Sequence, residues 1–531
     1  MATKLPLRIV AGIVLLALSL SPIVPAAAKG TAATSASPGW HSLTGWLPLN
    51  RSIQQWRISP NSQSVVFISD LETVGRPELY SVAITGTQPI KINGPFQEGG
   101  AADDFEFTPD SQYVIYSGRQ GAGAATKLYR ARLDGGGSVE EISDTMVAEG
   151  NVTFFKVDPD NQRVVYLADQ DTDDVFELFS VLIGGGLVTK LNPTLVSGGD
   201  VNGSFQIERI SNRVIYGADQ ETNGRTELYS VAIGGGPTTK LTPDNASSVY
   251  DFELSPSLPM LAFSLVPNGS PSKQVYSQAA AGGLLQTLNF GLAANQDVFG
   301  YHFSPDGSHV VYNVTTMTAT TPVQSGNLYS VLIGGGPSTL LTEAADPAFG
   351  VYGGTFWFTP DSQRVVYLYQ KQALQGKRVE SVTLAGTGRV TLCTNGVHST
   401  LQNFLLSANG QFVLCYNNIK VLSTVPTTGG ATSSLGIGYL AQLLPDSSRV
   451  IYVTPSADDD LISDAVTGGD KLNLSQSGTT VNLSSYAKFS PDSQWIAFEV
   501  QMNVNGGTLR DLRVSDGNAA PPKLFLPAVR R

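Results

Sequence analysis

The chain has 531 residues, a formal net charge of −11 and a hydrophobic content of 41%. Because the charges are scattered and no basic stripe is present to neutralise phosphates, these values argue against a nucleic acid as partner. The 55 glycines and 30 prolines, together with that hydrophobic content, indicate a turn-rich globular protein rather than a disordered one. A chain of this length exceeds a typical single domain unless its architecture is repetitive.

Residues 1–28 are predicted to be a secretory signal peptide. Lys4 and Arg8 provide the positive charge, Ile9 to Leu20 form an apolar run, and residues 26–28 are three alanines that suit cleavage. The run is too short to span a bilayer comfortably, and an uncleaved N-terminal anchor is the alternative interpretation. We therefore expect an extracytoplasmic protein, periplasmic or secreted, with no membrane insertion after cleavage.

One sequence unit recurs ten times over residues 48–531. Each copy is marked by the second residue of a tight turn, which is proline in eight copies, and the ten positions are Pro60, Pro109, Pro159, Arg209, Pro256, Pro305, Pro360, Ala408, Pro445 and Pro491. Their successive spacings are 49, 50, 50, 47, 49, 55, 48, 37 and 46 residues. We number the repeats 1 to 10 in this order. A period of this size is typical of propellers and solenoids.

Each repeat is predicted to contain four short strands. In repeat 2, Phe105–Phe107 leads through the turn Thr108–Ser111, whose residue types suit a type I turn, into Val114–Tyr116. In repeat 4, Leu228–Val231 supplies a third strand, and Lys240–Thr242 supplies a fourth after three glycines. No helical periodicity intervenes, so we expect an all-β protein, a β-propeller of about ten four-stranded antiparallel blades.

The unit Ser-Pro-Asp-Ser-Gln-x-Val-Val-Tyr, followed by Glu-Leu-Tyr-Ser-Val, resembles the TolB-like, WD-type propeller repeat of bacterial envelope proteins. The resemblance covers nearly the whole chain after residue 28. Proteins of this kind typically serve as periplasmic or surface scaffolds for protein interactions, so the resemblance implies a similar role here. Its motifs are specific for a fold and weak evidence for a function, because propellers host many roles.

The ring itself has alternative arrangements. One ring is favoured because no linker interrupts the repeats, and two smaller tandem propellers would separate in the irregular stretch between Pro305 and Pro445. Two segments are candidates for a closing strand: Ser42–Thr44, in the N-terminal segment 29–47, and Lys523–Phe525 near the other end.

The two cysteines, Cys393 and Cys415, are too few for a disulfide framework. Export would permit one bond between them. Cys415 also occupies the position of Tyr367 in the preceding repeat, where a small buried hydrophobic residue would fit equally well. The sequence leaves both interpretations open.

Catalytic signatures are missing from the sequence. No Gly-x-Ser-x-Gly elbow occurs, and the four histidines show no metal-ligand spacing, so no catalytic residue is predicted. We expect a non-catalytic scaffold whose partner is a protein or an envelope polymer. The alternatives are an enzyme, a hydrolase or lyase with its site at the propeller mouth, and a structural cell-surface protein.

One acidic loop is a candidate calcium site. Asp169, Asp171 and Asp173 alternate in the loop after the second strand of repeat 3, and calcium prefers oxygen ligands in such an arrangement. The twelfth position of the loop is Ser180, however, so the bidentate glutamate of an EF-hand loop is missing. A solvated hairpin loop is the alternative, and no other cofactor is predicted.

The innermost strands carry a second candidate site. The residue three positions before each turn position is polar in eight of the ten repeats, and the residue before it is aromatic in eight. Strand alternation places the two sets on opposite sides, so the aromatic set is expected in the core between blades. The other set, which we call the inner-strand set, would form either a ligand-binding channel wall or a ladder of charges between blades. Its candidate binding residues are Arg57, Glu106, Lys156, Gln206, Glu253, His302, Trp357 and Lys488.

Overall fold

The computed structural model describes residues 41–244, 246–289, 291–316, 325–343, 350–370, 376–394, 401–417, 420–455, 460–474, 488–504 and 507–516. The predicted signal peptide and the closing candidate Lys523–Phe525 lie outside these residues. Every regular element that is described is a β-strand. Within the same ranges, no helix has the length and apolar character needed to cross a membrane.

Forty strands are described, four to a repeat, and they are grouped here by their order within the repeats. The first strands are β2 Ile53–Ile58, β6 Ala101–Phe107, β10 Val152–Val157, β14 Val201–Glu208, β18 Asp251–Leu254, β22 Gln296–Phe303, β26 Gly350–Phe358, β30 Leu401–Leu406, β34 Tyr439–Leu443 and β38 Lys488–Phe489. The second strands are β3 Ser64–Ser69, β7 Tyr113–Arg119, β11 Arg163–Ala168, β15 Arg213–Ala218, β19 Met260–Leu265, β23 His309–Thr316, β27 Arg364–Gln370, β31 Phe412–Asn417, β35 Arg449–Val453 and β39 Trp495–Val504.

The third strands resemble the first two in length, and most fourth strands have only two residues. The third strands are β4 Glu78–Ala83, β8 Lys127–Arg132, β12 Glu177–Leu182, β16 Glu227–Ala232, β20 Gln274–Ala279, β24 Ser325–Leu332, β28 Arg378–Thr383, β32 Val421–Pro426, β36 Leu461–Ala465 and β40 Gly507–Asp516. The fourth strands are β5 Ile90–Lys91, β9 Glu140–Glu141, β13 Thr189–Lys190, β17 Thr239–Lys240, β21 Gln286–Thr287, β25 Thr339–Leu340, β29 Val390–Thr394, β33 Ser433–Ile437, β37 Leu472–Asn473 and, for repeat 10, β1 His41–Ser42.

The strands of each repeat pair antiparallel in order, and this confirms the predicted all-β class with four-stranded antiparallel sheets. Repeats 6 and 7 are joined into one eight-stranded sheet because β24 pairs with β26 as well as with β25. This arrangement, many short antiparallel sheets of four strands, fits a β-propeller.

The turn between the first and second strands has the geometry expected of its residues. In repeat 2, the Ser111 backbone N–H donates to the Thr108 carbonyl at 2.8 Å, and the Thr108 hydroxyl donates to the Asp110 carboxylate at 2.6 Å. Ser111 has a φ of 57°, in the left-handed region. Serine, asparagine or glycine occupies this last turn position in most repeats because these residues tolerate that conformation.

The hydrophobic core is divided among the spaces between sheets. Ten clusters of buried side chains are found in the described residues, and nine of them combine residues of two consecutive repeats. The tenth combines Trp56 and Phe67 of repeat 1 with Ala497 and Val514 of repeat 10. The first and last repeats therefore pack on one another as neighbouring repeats do.

The N-terminal segment completes the sheet of repeat 10. Strand β1 pairs with β40, the Ser42 hydroxyl donates to Asp511 at 2.6 Å, and the Thr44 hydroxyl donates to the same carboxylate at 3.1 Å. Leu43 and Leu47, which are 0% and 1% exposed, belong to the cluster between repeats 1 and 10. Of the two candidate closing segments, the structure thus pairs the N-terminal one.

The turns between the third and fourth strands rely on glycine for close packing. A Cβ at Gly235 would lie 2.6 Å from Thr189 Cγ2, and one at Gly282 would lie 2.8 Å from Thr239 Cγ2. Each of these glycines also has a positive φ, which L side chains rarely adopt. The turns of repeats 4 and 5 therefore lie directly against the fourth strand of the preceding repeat.

The two cysteines are bonded to one another. Cys393 lies in β29 and Cys415 lies in β31, so the disulfide joins repeat 7 to repeat 8. Cys415 is also buried in the cluster between these repeats. Cys415 is therefore both disulfide-bonded and a small buried residue, so the two interpretations of this cysteine are compatible.

Candidate functional site

The first strand of each sheet is an edge strand, and polar side chains of the inner-strand set bond to it from the preceding repeat. Arg57 donates to the Phe105 carbonyl and lies 3.1 Å from the Asp104 carboxylate. Gln206 Nε2 donates to the Phe252 carbonyl at 3.3 Å in the same way. Lys488 of repeat 10 donates to the carbonyl of Trp56 in repeat 1. Arg57, Gln206 and Lys488 thus each bind the carbonyl of the aromatic residue in the next repeat around the series. 

Glutamates of the inner-strand set accept a different backbone group of the next repeat. This group is the N–H of the residue two positions after the aromatic residue. Glu106 accepts the Val157 N–H at 2.9 Å and the Lys156 ammonium at 2.7 Å. Glu253 likewise accepts the N–H of Phe303 at 3.3 Å, and its other oxygen lies 3.0 Å from Nδ1 of His302.

These contacts have one physical cause. The unpaired side of an edge strand presents the carbonyl of residue i and the N–H of residue i+2, and both groups need partners. A donor side chain satisfies the carbonyl, and a carboxylate satisfies the N–H. The contacts described are those of the inter-repeat ladder, one of the two arrangements that the sequence left open. Ligand binding by the inner-strand set remains a prediction.

Glu106 provides a test of the ladder. Glu106→Ala leaves the Val157 N–H and the Lys156 ammonium without their partner, so we expect a loss of about 1 to 3 kcal/mol in the free energy of unfolding. Glu106→Gln retains an acceptor oxygen and loses only a partly exposed ion pair, and the expected loss is about 0.2 to 1 kcal/mol. Urea denaturation of the two variants measures the difference. Equal losses would mean that the ion pair, and not the backbone contact, carries the effect.

Trp357 interrupts the ladder in repeat 7. Its side chain is 57% exposed, and an indole ring has no acceptor for an N–H and no flexible donor arm. The preceding member of the set, His302, packs its ring 5.2 Å from that of Phe356 instead of bonding to the edge backbone. Charge and size at this position are therefore less constrained in repeats 6 and 7 than in repeats 1 and 2.

The acidic loop of repeat 3 is organised by Asp169. This buried carboxylate accepts the N–H of Asn151 at 2.6 Å and the N–H of Asp174 at 3.2 Å. Asp70 and Asp219 make the equivalent pairs of contacts in repeats 1 and 4. The recurring aspartate thus holds the hairpin loop in place.

The other two predicted calcium ligands, Asp171 and Asp173, have different neighbours in the structure. Asp173 lies near Asp169 and Asp174, and the three carboxylates approach closely enough to share an ion. Asp171 points elsewhere and forms an ion pair with Lys190 at 2.9 Å. Calcium binding at this loop remains a prediction, with Asp174 as a further candidate ligand that the alternating pattern did not include.

Lysines on the fourth strands occupy the neighbouring acidic clusters. Lys190 lies 2.6 Å from the buried Glu177, and Lys240 lies within 2.9 Å of Glu221, Glu227 and Asp244. Burial alone would lower the pKa of Lys190, but its hydrogen bonds to Glu177 and Asp171 raise that pKa above the usual value. Each of these ammonium groups pairs with two or three carboxylates and therefore offsets only part of their negative charge.

Five exposed leucines lie in or beside the turns between third and fourth strands. They belong to repeats 3, 5 and 6, they are 39% to 87% exposed, and together we call them the apolar rim: Leu182, Leu187, Leu284, Leu332 and Leu340. In repeat 2 the position equivalent to Leu182 is Arg132, which pairs with Asp134 at 2.7 Å. The fold therefore does not require apolar residues here.

The chain was compared with known proteins. No protein-family model matches it, and no curated protein matches it either. A crystal structure of a eukaryotic initiation factor is 13% identical, covers 75% of this chain and 94% of its own, and has a TM-score of 0.44. An oligogalacturonate lyase in complex with manganese is 13% identical, covers 65% of this chain and 94% of its own, and has a TM-score of 0.34. At this level of similarity neither protein indicates an activity for this chain.

Proposed function

We propose that the chain is a single closed propeller of ten TolB-like, WD-type blades that acts as a non-catalytic extracytoplasmic scaffold. Its partner is another protein, bound at the apolar rim. An envelope polymer is the alternative partner, and an enzyme or a purely structural surface protein are the alternative roles. The apolar rim is the observation that supports the scaffold proposal, because it places five exposed leucines at the same end of the sheets, and exposed apolar surface can mark an interaction site.

The single ring is supported by the contacts between repeats 1 and 10. The cluster that includes Trp56 and Ala497, the bond from Lys488 to the Trp56 carbonyl, and a 3.2 Å bond from the Asp492 N–H to the Ser62 hydroxyl all join these two repeats. The same kinds of contact join consecutive repeats elsewhere. Two tandem rings would instead require repeat 1 to pack on a repeat from the middle of the chain.

The extracytoplasmic location is supported by the sequence of residues 1–28 and, weakly, by the Cys393–Cys415 bond, since disulfides persist mainly in oxidising compartments.

The rim proposal is tested with charged variants. Leu187→Asp combined with Leu284→Asp places two carboxylates on the rim, and we expect about a tenfold or greater loss of partner affinity because burying each leucine contributes more than 1 kcal/mol. Val74→Asp is the matched control, since Val74 is equally apolar and 69% exposed but lies in a second-to-third-strand loop at the other end of the sheets.

The measurement is crosslinked capture from envelope extract with the chain that begins at residue 29, followed by binding of the purified partner. A partner retained by Val74→Asp and lost by the double variant is the expected result. Capture of the same proteins by all three forms would contradict a scaffold role of the rim and leave the alternative roles.

A further inference from the structure

We infer that Lys488 and Arg57 form a binding site for an anionic oxygen group, a carboxylate, sulfate or phosphate, where the last and first repeats meet. This site is separate from the apolar rim, and the inference does not depend on the scaffold proposal.

The two cations lie on neighbouring inner strands. Lys488 begins β38 and is exposed, and its ammonium both donates to the Trp56 carbonyl and lies 4.6 Å from the centroid of the Trp56 ring. Arg57 is the next residue after Trp56, and its side chain is 38% exposed. The ammonium is therefore held beside the backbone that carries the guanidinium, with solvent able to reach both groups.

In the described part of the chain, the two cations at this position have one carboxylate partner between them. Among the described residues, no carboxylate lies within ion-pair distance of Lys488, and residues 475–487, just before it, include no aspartate or glutamate. Arg57 has a single carboxylate partner, Asp104, which belongs to the next repeat. By contrast, Lys156, a cation of the same inner-strand set, is paired with Glu106 at 2.7 Å.

Electrostatics at Lys488 agree with this imbalance. Although the residue as a whole is exposed, its ammonium packs against Trp56, and this partial burial and the neighbouring Arg57 guanidinium both lower the pKa of Lys488. An anion placed between the two cations would relieve their repulsion and gain charge-assisted hydrogen bonds. Because the Trp56 carbonyl fixes the ammonium and Asp104 fixes the guanidinium, little side-chain freedom is lost on binding.

The chain itself suggests the test variant. Gln206 occupies the position of Lys488 in repeat 4 and donates its amide to the Phe252 carbonyl. Lys488→Gln can therefore keep the bond to the Trp56 carbonyl while removing the charge. Lys127→Gln is the matched control, because it neutralises a cation outside the inner-strand set that has a carboxylate partner, Glu141 at 2.6 Å.

Sulfate is titrated into the chain by calorimetry at constant ionic strength, and thermal unfolding is followed in parallel. We expect saturable binding and a rise in Tm for the native chain, at least about a tenfold loss of affinity in Lys488→Gln, and no change in Lys127→Gln. No saturable binding to the native chain, or equal affinity of Lys488→Gln and the native chain, would overturn the inference.

A second arm separates the sources of the anion. Alginate fragments, which carry carboxylates on a polysaccharide, are added in competition with sulfate. Displacement of sulfate that depends on Lys488 assigns the site to a carboxylated polymer, whereas sulfate binding without displacement assigns it to a small inorganic anion. Because the rim variants leave Lys488 intact, failure of the scaffold proposal would not change this result.

Discussion

Replacing Leu43 and Leu47 together by alanine is expected to lower the free energy of unfolding by about 4 kcal/mol or more. Both side chains are fully buried between repeats 1 and 10, and the segment that carries them directly follows β1, the outermost strand of the last sheet. Loosening this segment also exposes Asp511, which is buried and bonded to Ser42 and to Arg513. The effect therefore extends beyond the two cavities.

Urea denaturation measures this loss, and Leu49→Ala is its control. Leu49 lies two residues beyond the buried pair but is 39% exposed, so its truncation is expected to change the stability by less than about 0.5 kcal/mol. If the double variant unfolds at the same urea concentration as Leu49→Ala, the N-terminal segment does not belong to the core.

Reduction of the Cys393–Cys415 bond is expected to lower the free energy of unfolding by about 3 kcal/mol. The bond closes a loop with a sequence separation of 22 residues, and the chain-entropy account of disulfides predicts a loss of about this size. The native chain is unfolded in urea with and without reductant. Cys393→Ala combined with Cys415→Ala is the control and should show no effect of reductant. Identical midpoints for the oxidised and reduced native chain would contradict a stabilising bond.

The fold class was predictable because the repeat carries its own local signals. The hydroxyl, proline and aspartate of the Thr108–Ser111 turn fix the first hairpin by contacts within a few residues, and they recur at a regular spacing. The fourth strand of repeat 10 was less predictable. Both Ser42–Thr44 and Lys523–Phe525 have strand-like residues, and the former lies in the described part of the chain, where the strand His41–Ser42 pairs with β40.

The inner-strand set was visible in the sequence, but its partners were not. Opposite charges on Arg57, Glu106 and Lys156 suggested a ladder of ion pairs, whereas the carboxylate of Glu106 also binds the N–H of Val157. Residue types do not show that a side chain binds a backbone group of the neighbouring repeat. Only the structure shows that Arg57, Gln206 and Lys488 donate to a backbone carbonyl, whereas the glutamates accept a backbone N–H.

The acidic loop shows a second limit of sequence reasoning. Asp169, Asp171 and Asp173 alternate along the chain, which suggested shared ligation. In the structure Asp169 binds backbone N–H groups, and Asp171 turns to Lys190, a residue 19 positions later on the fourth strand. Spacing within a loop does not specify which side chains meet when a charged residue from another strand packs against it.

The proposed closed ring of ten repeats is tested most directly by a distance between two spin labels. Gln63, Gln112 and Gln494 are exposed at equivalent positions after the turns of repeats 1, 2 and 10, and the two native cysteines are bonded and take no label. In one ring, repeat 1 has repeats 2 and 10 as neighbours. Labels at Gln63 and Gln494 should therefore give the same short distance as labels at Gln63 and Gln112. A clearly longer distance for Gln63 and Gln494 would contradict the closed ring.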